Sequence, residues 1–124
     1  MSQPSHLDQI LLDMVRLIPA GKLASYADLS TLATEMGYPC TARRVARTMS
    51  LYGSEVQWWR VVQSAGTVAD QVYAEAVPRL QADGVQVRGR RVPLELMRWN
   101  PEPAALRRQV MALAKHPVAT PPPG

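Results

Sequence analysis

Two adjacent indoles and an arginine, in the run Gln57-Trp58-Trp59-Arg60-Val61-Val62, are the side chains of this chain best suited to chemistry, and that chemistry is recognition. An indole is no nucleophile at neutral pH. Its face stacks on a nucleobase, worth about 1–3 kcal/mol per base, and a base turned out of a duplex is commonly held between aromatic faces. Upstream lie Ser25-Tyr26 and the basic run Thr41-Ala42-Arg43-Arg44-Val45-Ala46-Arg47. From Gly37 to Ser54 there are three arginines and no acidic residue. At helical spacings of three and four, at least two of Arg43, Arg44 and Arg47 share a face, and such a face can meet successive phosphates of a duplex.

Other chemistries find less support. Cys40 is the single thiol; it precedes the basic helix, where a helix dipole and Arg43 or Arg44 would favour a thiolate. The competing reading of Cys40 is a small apolar residue at a turn. Asp70, Glu75, Asp83 and Glu95 do not make a persuasive catalytic pair, and His6 and His116, in the terminal regions, have no candidate partners. No spacing suggests a zinc cluster, so neither metal nor cofactor is expected. On their own, Trp58 and Trp59 read more readily as a buried strand, and Tyr26 as an aromatic packed at a helix start.

The elements that must position these residues follow from periodicity. Leu7, Ile10, Leu11, Met14, Val15 and Ile18 predict a helix over His6 to Ile18, capped by Ser5 after a loose Met1–Ser5 tail and stopped by Pro19-Ala20-Gly21. Lys22-Leu23-Ala24 is a short extended connection. Ser25 caps a second helix, Tyr26 to Met36; Gly37-Tyr38-Pro39 turns; Thr41 caps a third, running to about Leu51. A helix, a turn and a basic helix make a helix-turn-helix. Ser64-Ala65-Gly66-Thr67 turns the chain into a fourth helix, Val68 to Ala82, which Pro78 kinks or delays. Val85–Arg88 and Arg91–Pro93 predict two short strands about Gly89-Arg90, a small wing, and Leu94 to Trp99 a last turn on the core. Pro101 to Lys115 can form an extra helix before a Pro-rich, disordered tail from Pro117.

The 124 residues suit one domain with a hydrophobic core of its own. A net charge of +4 mildly favours an anionic partner. With one cysteine no intrachain disulfide can form, no apolar run approaches bilayer length, and the first residues lack a signal-peptide layout. A cytoplasmic, nucleoid-associated monomer is the plain expectation.

The order Ser25-Tyr26, Ala42-Arg43-Arg44-Val45, then Trp58-Trp59-Arg60 resembles the DNA-binding domain of the O6-alkylguanine-DNA alkyltransferases. Those repair proteins read Pro-Cys-His-Arg at this site, and the Cys thiolate accepts the alkyl group with help from the His. Here Trp58 stands in the Cys position, Trp59 in the His position and Gln57 in the Pro position. The chain is thus similar to the alkyltransferase-like proteins, which commonly read Pro-Trp-His-Arg; it departs from them at Gln57 and Trp59. The resemblance runs from Leu7 to Trp99, and between Tyr26 and Arg43 the chain is about three residues longer than typical relatives. It implies a mostly α, α/β fold of the winged helix-turn-helix type over residues 1–100, with residues 101–124 as an extension.

For function, the resemblance implies non-enzymatic damage recognition: binding duplex DNA through the minor groove, flipping an O6-alkylguanine and marking it for nucleotide excision repair. Tyr26, Thr41, Ala42, Arg43, Arg44 and Arg47 would meet DNA. Arg43 would fill the vacated stack, which suits a planar, permanently charged guanidinium, and Tyr26 would press on the phosphate 3′ of the target. Tyr26, Trp58, Trp59, Val68 and Ala69 would line the lesion pocket, with Val68 to Tyr73 as its lid and Arg60 in a structural ion pair or backbone contact. The damage-recognition proteins of excision repair would be partners. The competing reading is a winged-helix transcription regulator with the Trp pair as core.

Overall fold

Ser5 and Asp8 start the chain's first element by capping each other. The Ser5 N–H donates to Asp8 Oδ2 at 2.8 Å and the Asp8 N–H to Ser5 Oγ at 3.1 Å, which satisfies two of the amides a helix start leaves unpaired. Helix α1 follows over His6–Arg16, shorter than the periodicity predicts, ending at a Leu17 cap. Ser25 and Asp28 repeat the device and open α2, Tyr26–Glu35. Thr41 caps α3, Ala42–Tyr52, its Oγ1 accepting from the Arg44 N–H at 3.1 Å. The computed structural model describes residues 3–115; the expected disordered tail from Pro117 lies outside them.

Helices α2 and α3 pack on each other and on α1 around a core of Leu11, Met14, Val15, Ile18, Leu29, Ala33 and Val45, each almost wholly buried. The α2–α3 turn is pinned to α2. Ser30 Oγ donates to the Cys40 carbonyl at 2.7 Å, and Thr34 Oγ1 accepts from the Cys40 N–H at 3.4 Å. After α3 the chain makes helical turns at Gly53–Glu55 and Trp58–Arg60. The Trp pair therefore sits on a tight turn and not in a buried strand; only Val61–Val62 (β2) is extended, paired in parallel with Ala24–Ser25 (β1).

Beyond β2 lies a second, smaller core of Leu23, Val62, Val68, Ala76, Leu80, Val85, Val92 and Leu94. Helix α4 spans Tyr73–Ala82, starting later than the sequence predicts. The Val68 N–H is occupied by the Arg90 carbonyl at 2.8 Å and Ala69 is extended, so helical geometry begins only at the turn Asp70–Val72. Pro78 is accommodated inside α4. The predicted wing shrinks to isolated pairings, Arg88 with Arg91 and Thr67 with Arg91. The Val85 N–H bonds back to Leu80 at 2.9 Å and Pro93 lacks a donor, so no longer ladder can form. A short α5, Leu94–Met97, leads to Trp99, which is buried against the first core. Helix α6, Pro103–Lys115, lays Leu106 and Val110 onto α1, so the segment after Asn100 completes the first core.

Candidate nucleic-acid interface and base pocket

Helix α3 presents its arginines unequally. Arg43 and Arg47 are exposed and have no ion pair among the described residues. Arg44 turns inward: its Nη2 donates to Asp8 Oδ1 at 2.9 Å and to Ser5 Oγ at 2.9 Å. The same Asp8 oxygen accepts from Thr48 Oγ1 at 2.6 Å. Burial alone would raise the Asp8 pKa, but the hydrogen bonds from Thr48, Ser5 and Arg44 hold it well below the usual carboxylate range. Arg44, expected at DNA, thus clamps α3 to the start of α1. Thr41 stands exposed at the α3 cap, and Ala42 and Ala46 are half-buried small residues that keep one side of the helix low.

Beside this helix opens a cavity of about 510 Å³. One border is α3, through Ala46, Met49 and Ser50; the opposite border is the segment Val68–Val72 with Glu75 and Ala76 of α4. Tyr26 stands at the cavity and Trp58 and Trp59 form its wall, so the structure brings together all five residues expected in the pocket, Tyr26, Trp58, Trp59, Val68 and Ala69. Burial pushes the Tyr26 phenol pKa up, so it stays neutral near physiological pH. Gln71, within the expected lid, also lines the cavity, as do Met49, Ser50, Gly53, Gln63 and Glu75, which the sequence does not single out for the pocket. For Ser50 the signal was present: it lies one helical turn after Ala46.

The two indoles meet edge to face, 6.0 Å between centroids at 86°. Trp59 is fixed from behind. Its Nε1–H donates to Asp83 Oδ2 at 2.9 Å, and Arg60 grips the same carboxylate with Nε at 2.8 Å and Nη2 at 3.0 Å. Arg60 Nη1 also donates to the Ile18 carbonyl at 2.9 Å, tying the wall to the first core. Arg60 therefore makes both the ion pair and the backbone contact expected of it. Asp83 caps the C-terminus of α4, where the helix dipole disfavours a carboxylate. The Arg60 hydrogen bonds, with help from Trp59, outweigh its burial and lower its pKa. The Arg79 guanidinium lies 5.7 Å from the Trp58 ring centroid and 5.6 Å from that of Trp59, within cation–π range of both. Neither Arg79 nor Asp83 was singled out from sequence for this wall, because both reach it only by folding α4 back onto the Trp turn.

Two residues remain apart from the pocket. Cys40 lies in the α2–α3 turn; burial pushes its thiol pKa up, only partly offset by Arg44, against the sequence argument for a thiolate. Gln57, in the family's Pro position, carries a buried side-chain carbonyl with no hydrogen-bond partner among the described residues. No group of three or more His, Cys, Asp or Glu among the described residues is arranged to hold a metal, and no described helix is long and apolar enough to cross a membrane.

The family model of the 6-O-methylguanine DNA methyltransferase DNA-binding domain matches residues 6–85. Two solved structures share the fold. S. pombe Atl1 in complex with damaged DNA containing O6-carboxymethylguanine is 26% identical with a TM-score of 0.66, and S. pombe ATL in complex with DNA is 25% identical with a TM-score of 0.63. Each comparison covers 82% of this chain and all of the relative. No curated protein matches by sequence. With the greater part of its length matched, the chain belongs to the family of the 6-O-methylguanine DNA methyltransferase DNA-binding domain.

Proposed function

We propose that this protein binds duplex DNA, turns an O6-alkylated guanine into the Trp58 cavity and holds it without repairing it. The observation that carries this reading is the cavity itself, which joins α3 to Trp58; by the resemblance, Trp58 stands where the repair enzymes carry their nucleophile. A relative with the same fold is seen with DNA containing O6-carboxymethylguanine. Arg43 and Arg47 engage the backbone from the exposed side of α3, and Arg43 occupies the space the flipped nucleotide leaves. Ala42 and Ala46 permit close approach in the minor groove. Tyr26, neutral at physiological pH, packs against the rotated phosphate without adding negative charge. Trp58 stacks on the captured base, while Val68 and Ala69 close over it.

Alkyl transfer needs a thiolate within reach of the alkyl carbon. Trp58 supplies none, and Cys40 lies outside the cavity with a raised pKa. A long-lived, unrepaired complex then marks the lesion for the damage-recognition proteins of nucleotide excision repair. Paired oligonucleotide duplexes, one carrying O6-methylguanine and one guanine, test this in the presence of a competing alkyltransferase. The expected result is selective binding of the lesion duplex in any sequence, and shielding of the lesion from the enzyme. Equal affinity for both duplexes, with preference for one sequence, would instead make the protein a regulator. Mass spectrometry of the protein after incubation is expected to show no added methyl group.

A further inference from the structure

A second basic segment is bonded to the Val68–Val72 border of the cavity. The chain Arg88-Gly89-Arg90-Arg91 makes a turn closed by reciprocal backbone bonds, Arg88 N–H to Arg91 and Arg91 N–H to Arg88, both 2.9 Å. Gly89, at φ +60°, supplies the left-handed residue. The turn is bonded to the root of the pocket's other border: the Val68 N–H donates to Arg90, and Thr67 pairs with Arg91. Arg90 forms an exposed ion pair with Asp70, the first residue of the Asp70–Val72 turn that walls the cavity. Arg88 and Arg91 are exposed and have no ion pair among the described residues. Of the three guanidiniums in the turn, only that of Arg90 is paired with a carboxylate among the described residues.

We propose that the Arg88–Arg91 turn is a second phosphate-binding surface, gripping the duplex backbone on the lid side of the cavity while α3 grips it on the other. This rests on the duplex-binding reading above. A base seated between α3 and Val68–Val72 leaves its strand crossing both borders, so each border meets phosphates. Arginine is suited to that contact, since its planar fork holds a phosphate through two parallel hydrogen bonds. The Arg90–Asp70 pair sets the turn against the lid, so the free cations available to DNA are Arg88 and Arg91. Phosphate contacts carry no base information, so the turn strengthens binding to damaged and intact duplex alike.

The test is the salt dependence of binding to lesion and matched intact duplexes, for the wild type and Arg88→Ala/Arg91→Ala. The substitutions keep the backbone pairing; where the alanine variant fails to fold, Arg88→Gln/Arg91→Gln replaces it. Loss of two phosphate contacts is expected to lower the log–log salt slope by about 1.8, and so to shrink the affinity lost between about 50 and 200 mM salt by roughly tenfold. The lesion-to-intact affinity ratio should stay unchanged, and Arg88→Lys/Arg91→Lys should restore most of the slope. A slope equal to the wild type's overturns the proposal and assigns the turn to another partner. A wild type that binds duplex without lesion preference overturns the functional reading and leaves the slope to decide the turn; a wild type that binds no duplex overturns both.

Discussion

The α1–α3 half and the Trp-turn half are each organised around a carboxylate that receives an arginine, yet they use it differently. Asp8 joins the α1 cap to Arg44 and Thr48 of α3. Its neighbours are closely packed, and what it fixes is the attitude of the helix that carries Arg43 and Arg47 outward. Asp83 receives Arg60 and the Trp59 indole, and beyond that wall lies empty space. One half is a stiff scaffold with its chemistry on the outside; the other is a propped wall with its chemistry in a hollow. Stability and recognition are therefore separable by mutation.

The largest effect is expected at the scaffold. Asp8→Ala removes a helix cap, leaves Thr48 without its acceptor and takes the carboxylate from Arg44, a loss of roughly 2–4 kcal/mol in urea unfolding. The lesion-to-intact binding ratio of the folded fraction should not change; a changed ratio would erase the distinction between the halves. Trp58→Ala tests the other half. Loss of one base–aromatic stack should reduce lesion preference by about 1–3 kcal/mol, with little effect on unfolding, because Trp58 is only half-buried.

A smaller and more discriminating effect separates neighbours on α3. Arg43→Ala should lower the salt slope of DNA binding by about 0.9 if it neutralises one phosphate, whereas Arg44→Ala should leave the slope unchanged and lower stability. A slope that falls with Arg44 instead would mean the clamp to Asp8 opens on DNA. Acid exposes the two carboxylates together. Both have folded pKa values below the ordinary 3.8, so their contribution is complete above that value. It is lost as pH falls through the depressed folded values. Urea midpoints should therefore be level near neutrality and drop below about pH 4, and Asp8→Asn should flatten that drop.

The smallest expected effect is a gain. Gln57 has φ −74°, a preceding residue in extended conformation and a buried, unpaired side-chain carbonyl. Its N–H donates to no backbone carbonyl among the described residues. Proline fits those angles. Gln57→Pro should stabilise the fold by about 0.5–1 kcal/mol in thermal or urea unfolding, with lesion preference intact. A loss of preference would show that Gln57 serves the pocket.

The helices were legible in the sequence because their signals are local. Ser5, Ser25 and Thr41 are caps whose partners lie three residues on, and the apolar spacing of Leu11, Met14 and Val15 needs no knowledge of the rest. The wing and the start of α4 were misjudged where distant groups decide. The Arg90 carbonyl occupies the Val68 amide, and the Gly66 carbonyl occupies the Val92 amide; no short window of sequence contains those bonds.

Residue types alone determined that Trp58 cannot act as the family's nucleophile and that Arg43, Arg44 and Arg47 share one helix, since an indole's reactivity and a helix's pitch are local properties. Tertiary structure decided which arginine remains outside. Arg44 was indistinguishable from Arg43 and Arg47 until Asp8 of another helix reached it. It likewise decided that the indoles face a hollow, because a cavity forms where Arg60, Arg79 and Asp83, the last 24 residues from Trp59 in sequence, hold the wall in place. A long-range hydrogen bond selects among side chains that composition and periodicity leave equivalent, and that selection happens only when the chain has folded.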